Sequence, residues 1–158
     1  MQAKETEDEN DLKYSILAET YEKIEEATKR LEMTDLLVEL LRQAPKETID
    51  RVIYLTQGRL YPEFTGIELG IAEKLAIKAL ASISGKSEEK VEETFKKTGD
   101  LGKTAESFIT KKSQSTLIQR ELSAEMVYDA FEKIAHATGS GSIDLKIKFL
   151  SSLLHDAT

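Results

Sequence analysis

Along most of the chain apolar residues recur every three or four positions, with polar residues between them. Tyr14, Leu17, Tyr21, Ile24, Thr28 and Leu31 share one face, and this spacing predicts a first helix of about five turns. Its outer face carries Glu22, Lys23, Glu25, Glu26, Lys29 and Arg30, with the basic pair near the end, where it suits the helix dipole. Thr34 is placed to cap a second helix that buries Leu36, Leu37, Leu40 and Leu41, and Pro45 closes it. A third helix is expected from Glu47 to about Thr56, stopped by Gly58.

The pattern then lapses from Arg59 to Gly66, a stretch holding Pro62 and a glycine, and leads through Ile67 to Gly70 into an alanine-rich helix ending near Ile83. Ser87, with Glu88 and Glu89 behind it, reads as a capped helix start. Gly99 reads as that helix's stop, and Leu101, Ala105 and Phe108 as one more short helix. Thr110 to Arg120 is polar and basic around a single apolar pair, so it reads as an exposed loop. Ser123 restarts a helix that buries Val127, Phe131, Ile134 and Ala135. The β-leaning pieces, residues 52–55 and 115–118, are too short to outweigh the helical signals beside them. The expectation is an all-α, compact irregular bundle of about eight helices over residues 12–158.

Thr138-Gly139-Ser140-Gly141-Ser142 stands between the last two helical patterns. Gly139 suits the left-handed end of one helix, Gly141 a sharp turn, and Ser142 the cap of the next helix, Ile143 to Leu154. Free amides at that helix start, the hydroxyls of Ser140 and Ser142, and Lys146 one turn on could face a single phosphate. An ordinary Gly/Ser connector satisfies the same five residues.

Charge qualifies this picture. The chain has a formal net charge of −7 over 158 residues, which opposes a polyanionic partner until it is divided by segment. Residues 1–11 set Lys4 against Glu5, Glu7, Asp8, Glu9 and Asp11, a local −4 that reads as a disordered acidic tail. Residues 103–120 set Lys103, Lys111, Lys112 and Arg120 against Glu106, a local +3, and the local field is what a polyanion meets. No apolar run reaches the roughly 20 residues of a bilayer span, and no signal peptide is legible. The absence of cysteine removes disulfides, thiolate nucleophiles and Cys-based zinc sites, and an intracellular, cytoplasmic setting is expected.

Catalytic patterns are missing. His136 and His155 lack companions at metal-ligand spacing, so no metal site is expected, and there is no GxSxG. The carboxylate pairs Glu25-Glu26, Glu88-Glu89 and Glu92-Glu93 sit on solvated faces. Lys97-Thr98-Gly99-Asp100 has the wrong order for a Lys-x-Asp-Gly nucleotidyl-transfer motif. The residues alone read as a binding module.

Four stretches carry a family resemblance. Tyr21 to Glu26 through Lys29-Arg30-Leu31, Gly66 to Gly70 through Ile77-Lys78-Ala79, Lys97 to Gly102, and Ala137 to Ser142 through Lys146-Ile147 resemble the N-terminal DNA-binding domain of archaeal and eukaryotic ATP-dependent DNA ligases. Their order and spacing hold from about residue 14 to the C-terminus. The resemblance implies an all-helical domain that grips nicked double-stranded DNA across the minor groove through phosphate and sugar contacts, without reading sequence. It implies Arg30, Lys78, Gly139, Ser140, Gly141, Ser142 and Lys146 as DNA-binding residues. It also implies a monomer working beside its own catalytic adenylation and OB-fold domains, in nick sealing during replication, repair and recombination. ATP and Mg²⁺ would serve those domains, so this chain alone is expected to bind no cofactor and to be inactive. Archaeal ligases similar to this one can carry a clamp-binding peptide, and here Gln114, Leu117 and Ile118 in the 111–120 segment stand where a glutamine and two aromatic rings would be; a plain basic loop is the alternative. In an archaeal cell such an enzyme would work at the nucleoid.

Two other functions are compatible with a small helical protein. A helical protein-interaction module would tolerate loss of the glycine turn and bind without salt sensitivity. A helix-turn-helix regulator would need Arg, Asn or Gln aimed at base edges, and Ile143 to Leu154 holds Lys146 and Lys148 but none of those.

Overall fold

The computed structural model describes residues 11–109 and 121–157. All but Asp11 of the expected acidic tail, and the whole 110–120 segment, lie outside them. Eight α-helices and one 3₁₀ turn form among the described residues: α1 (Tyr14–Glu26), α2 (Arg30–Gln43), α3 (Ile49–Thr56), a 3₁₀ turn (Glu63–Thr65), α4 (Glu73–Ser84), α5 (Glu88–Thr98), α6 (Leu101–Phe108), α7 (Ala124–His136) and α8 (Ser142–Asp156). The all-α class holds. The only extended pairing among the described residues is an isolated bridge between Lys13 and Ser123.

The helices sort into two packed units, one of residues up to Glu68 with Glu121–Asp129, the other of Leu69–Arg120 with Ala130–Thr158. In the first, Leu17 of α1, Leu40 of α2 and Val52 of α3 are almost wholly buried and meet Leu12 and Ala124. Each such side chain contributes about 1.5–3 kcal/mol by leaving water. The chain before α1 is tied down by Ala124 N donating to the Leu12 carbonyl at 2.7 Å and Tyr14 N to that of Leu122 at 2.8 Å. Arg51 of α3 donates to Glu125 at 2.6 Å and Asp129 at 3.1 Å, one turn apart on α7, and lies 5.1 Å from the centre of the Tyr128 ring. The Tyr128 hydroxyl donates in turn to the Leu60 carbonyl.

The first helix departs from expectation. Instead of one helix running to Leu31, the chain stops at Glu26, passes through extended Ala27 (ψ 132°), and restarts at Arg30. Ala27 is buried and its N–H still reaches the Ile24 and Lys23 carbonyls, so tertiary packing overrides the high helix propensity of alanine. Thr34 falls inside α2 and donates to the Arg30 carbonyl at 2.9 Å instead of capping. Other boundaries follow local chemistry. Ser87, Asp100 and Ser123 each accept a backbone N–H of the helix they start, and α2 ends two residues before Pro45.

In the second unit α4 makes its most extensive packing against α8. Leu75 and Ala79 of α4, Ile134 of α7 and Leu150 of α8 form one cluster; Ile77 and Leu80 of α4 with Val91 of α5 form another, which Leu154 of α8 also touches. Lys146, near the start of α8, donates to the carbonyl of Gly70, just before α4, so the N-terminal ends of these two helices lie close together.

Candidate functional site

That end of the second unit carries the glycine turn. α7 stops at His136, so Gly139 does not end the helix directly as expected; Ala137 and Thr138 intervene. Gly139 and Gly141 both have positive φ, 82° and 81°. Ser142 N donates to the Gly139 carbonyl at 3.2 Å, and the Gly141 angles (φ 81°, ψ 0°) are those of the third position of a type II turn, where glycine is needed. Gly141 therefore takes the N-cap position of α8 and Ser142 becomes its first helical residue. The expected Ser142 cap does not form, and α8 has no side-chain cap at all.

An uncapped start leaves donors exposed. Ser142 N and Leu145 N are taken by Gly139 and Gly141, while the N–H groups of Ile143 and Asp144 donate to no described residue. Among the described residues the hydroxyls of exposed Ser140 and half-buried Ser142 are also without partners. A Cβ built on Gly139 or Gly141 meets no atom within 4 Å, so the backbone faces open space. Lys146, half-buried one turn on, donates to the Gly70 carbonyl at 3.4 Å, the long end of hydrogen bonding, and is only loosely held.

Two features of the turn were not anticipated. Asp144 places a carboxylate in the first turn of α8, where it opposes the helix dipole's attraction for an anion. Ile143 and Leu145, 61% and 46% exposed, flank it.

The other proposed residues are placed as follows. Lys78 is exposed on α4 of the same unit, between buried Ile77 and Ala79, with no hydrogen bond to the turn. Arg30 belongs to the first unit and opens α2, exposed, at the helix end where the dipole disfavours a cation. Gln114, Leu117 and Ile118 lie outside the described residues.

Lys90 and Lys97 hydrogen-bond Glu93 and draw its pKa down to about 2, and backbone and Ser87 hydrogen bonds lower that of Glu89. His136 and His155 are exposed in the last turns of their helices. Among the described residues no group of three or more His, Asp or Glu could hold a metal ion, and no helix is long and apolar enough to cross a membrane.

Residues 13–158 match the family model described as DNA ligase N terminus. The chain is 46% identical over 147 residues to a DNA ligase of Nitrosopumilus maritimus (strain SCM1), an alignment covering 93% of this chain and 25% of that protein. It is 47% identical over 154 residues to a DNA ligase 2 of Thermofilum pendens (strain DSM 2475 / Hrk 5), covering 93% and 26%. A DNA ligase of Acidianus ambivalens is 37% identical over 156 residues, covering 93% and 26%. The chain thus spans about a quarter of the length of the curated relatives it matches.

Proposed function

The chain belongs to the DNA ligase N-terminal family, and on that premise we propose that it binds nicked duplex DNA across the minor groove through phosphates and sugars, irrespective of sequence. The observation that carries this reading is the uncapped start of α8, where the Ile143 and Asp144 amides have no hydrogen-bond partner among the described residues, beside a turn built on two positive-φ glycines that face open space. Backbone donors of this kind bind phosphate oxygens and distinguish no base, as an enzyme that must seal any sequence requires. Lys146 leaves the Gly70 carbonyl for the phosphate and adds a full charge. Arg30 and Lys78 contribute further phosphate contacts by charge.

On the same premise we propose that the chain is the DNA-gripping part of an ATP-dependent ligase that acts inside the cell in replication, repair and recombination, as a monomer. Among the described residues no cluster of His, Asp or Glu fits the Mg²⁺ ion that ATP-dependent strand joining uses. We assign that chemistry to the three quarters of the relatives' length this chain does not span. A few contacts here need supply only part of the affinity, because linked domains act at high effective concentration. The Gln114, Leu117, Ile118 segment is proposed on sequence alone to touch a sliding clamp, which co-elution of clamp and chain, lost in a Gln114→Ala variant, would support.

Arg30→Ala and Lys146→Ala test the DNA face. Each should weaken duplex binding equally for unrelated sequences and lower the slope of log K against log salt by about one unit. Unchanged affinity in both variants would move the DNA face elsewhere.

A further inference from the structure

We infer that Phe64 is a docking anchor, presented by the 3₁₀ turn of the first unit to an apolar pocket rimmed by Lys or Arg on the part of the ligase that this chain does not span. This rests on the ligase reading above and adds the surface by which the domain meets the rest of its enzyme. Phe64 is 90% exposed, more than any other large apolar side chain among the described residues. Its backbone is nevertheless fixed. Thr65 donates twice to the Pro62 carbonyl, from N at 3.1 Å and from Oγ1 at 2.8 Å, and Gly66 N donates to the Glu63 carbonyl at 3.2 Å with Gly66 in the left-handed region (φ 65°). Arg59 pairs with Glu63 along the turn. Leu60, at its base, is buried, and its carbonyl accepts the Tyr128 hydroxyl.

A ring held out on a stiff turn loses little freedom when a pocket closes over it, and buried aromatic anchors of this kind carry most of the affinity of an interface. Ile67, 39% exposed, extends the apolar surface. Charge selects the occupant. Residues 60–68 hold Glu63 and Glu68, both exposed, and no Lys or Arg, while the neighbouring Arg59 is committed to Glu63. Such a field repels the phosphates of a nucleic acid and attracts a cationic rim, so the complementary surface is polypeptide. Its source is the ligase itself, because about three quarters of the relatives' length lies outside the part this chain matches.

The experiment is amide hydrogen exchange of residues 60–68 in this chain and in the full-length ligase that carries it, each free and with a nicked duplex. Exchange should be at least about tenfold slower in the full-length ligase than in the chain alone. Phe64→Ser should return it to the rate of the chain alone, and Glu68→Lys should bring it part of the way there, while neither substitution shifts the urea midpoint of the chain. Equal exchange in chain and full-length ligase, or slowed exchange that Phe64→Ser leaves intact, overturns the inference. Slowing of the chain by the duplex makes DNA the occupant and overturns it as well. The duplex arm reports separately on the proposed function, since a chain that binds no nicked duplex loses that reading while protection in the full-length ligase still supports the docking anchor.

Discussion

Substitution of Gly141 separates the turn as architecture from the turn as ligand site. With φ 81° at this position, an L-residue costs roughly 1–2 kcal/mol in left-handed backbone, and a β-branched residue more. The added Cβ meets no protein atom within 4 Å, so no steric clash adds to that strain. Gly141→Ala should therefore lower stability by about 1–2 kcal/mol in urea denaturation, and Gly141→Val by more. Asparagine tolerates the left-handed region, so Gly141→Asn should cost only a few tenths of a kcal/mol. Binding should follow another order. Every one of these side chains enters the open space a phosphate would occupy, and each variant should lose about tenfold in duplex affinity, near 1.4 kcal/mol. Asparagine is decisive, because it keeps the fold and fills the space. A Gly141→Asn protein that is as stable as the parent and binds DNA as tightly would make the turn architectural only.

Three further outcomes test the packing and the charges. Thr48 Oγ1 is buried with no protein partner among the described residues, although Thr48 stands at the N-cap of α3; Thr48→Val should be neutral or stabilise by up to about 1 kcal/mol in urea denaturation, and a clear loss would reveal an unseen acceptor. Arg51→Met removes both α7 ion pairs and leaves Glu125 and Asp129 without their cation; because all three side chains are 30–47% exposed, the loss should be near 1 kcal/mol, and a change within error would mean solvent screens the network completely. Glu93 is drawn down to about 2 from 4.5 by Lys90 and Lys97, so the stability it contributes is fully present above pH 4.5 and is lost as pH falls through about 2. An NMR titration of its side chain with a midpoint near 4.5 would refute that pairing.

Much of the fold was legible because it follows from repeating apolar stripes. Leu17, Leu40 and Ile134, each fully or almost fully buried, fall on the faces that periodicity assigns. Ser87 and Ser123 act as the caps their chemistry suggests. The interruption at residues 27–29 was not legible, since no glycine or proline marks it and burial of Ala27 decides it. The start of α8 moved by one residue for a related reason. Ser140, Gly141 and Ser142 are all good N-cap types, and only the φ demand of a type II turn selects Gly141. The turn's position and its two glycines were readable. Its Asp144 counter-charge and exposed aliphatic pair emerged only with the helix register, because a carboxylate in a first turn and two aliphatics near a helix start are unremarkable as text.

The central claim is that this chain holds duplex DNA by its phosphates and sugars and ignores the bases. It is tested most directly by the affinity of the chain for two nicked duplexes of unrelated sequence, measured across a salt series. The same Kd is expected for both sequences at every salt concentration, with log K falling linearly as log salt rises and a slope of only a few units, since few cations take part. A strong preference for one sequence, or an affinity that salt does not change, would contradict it.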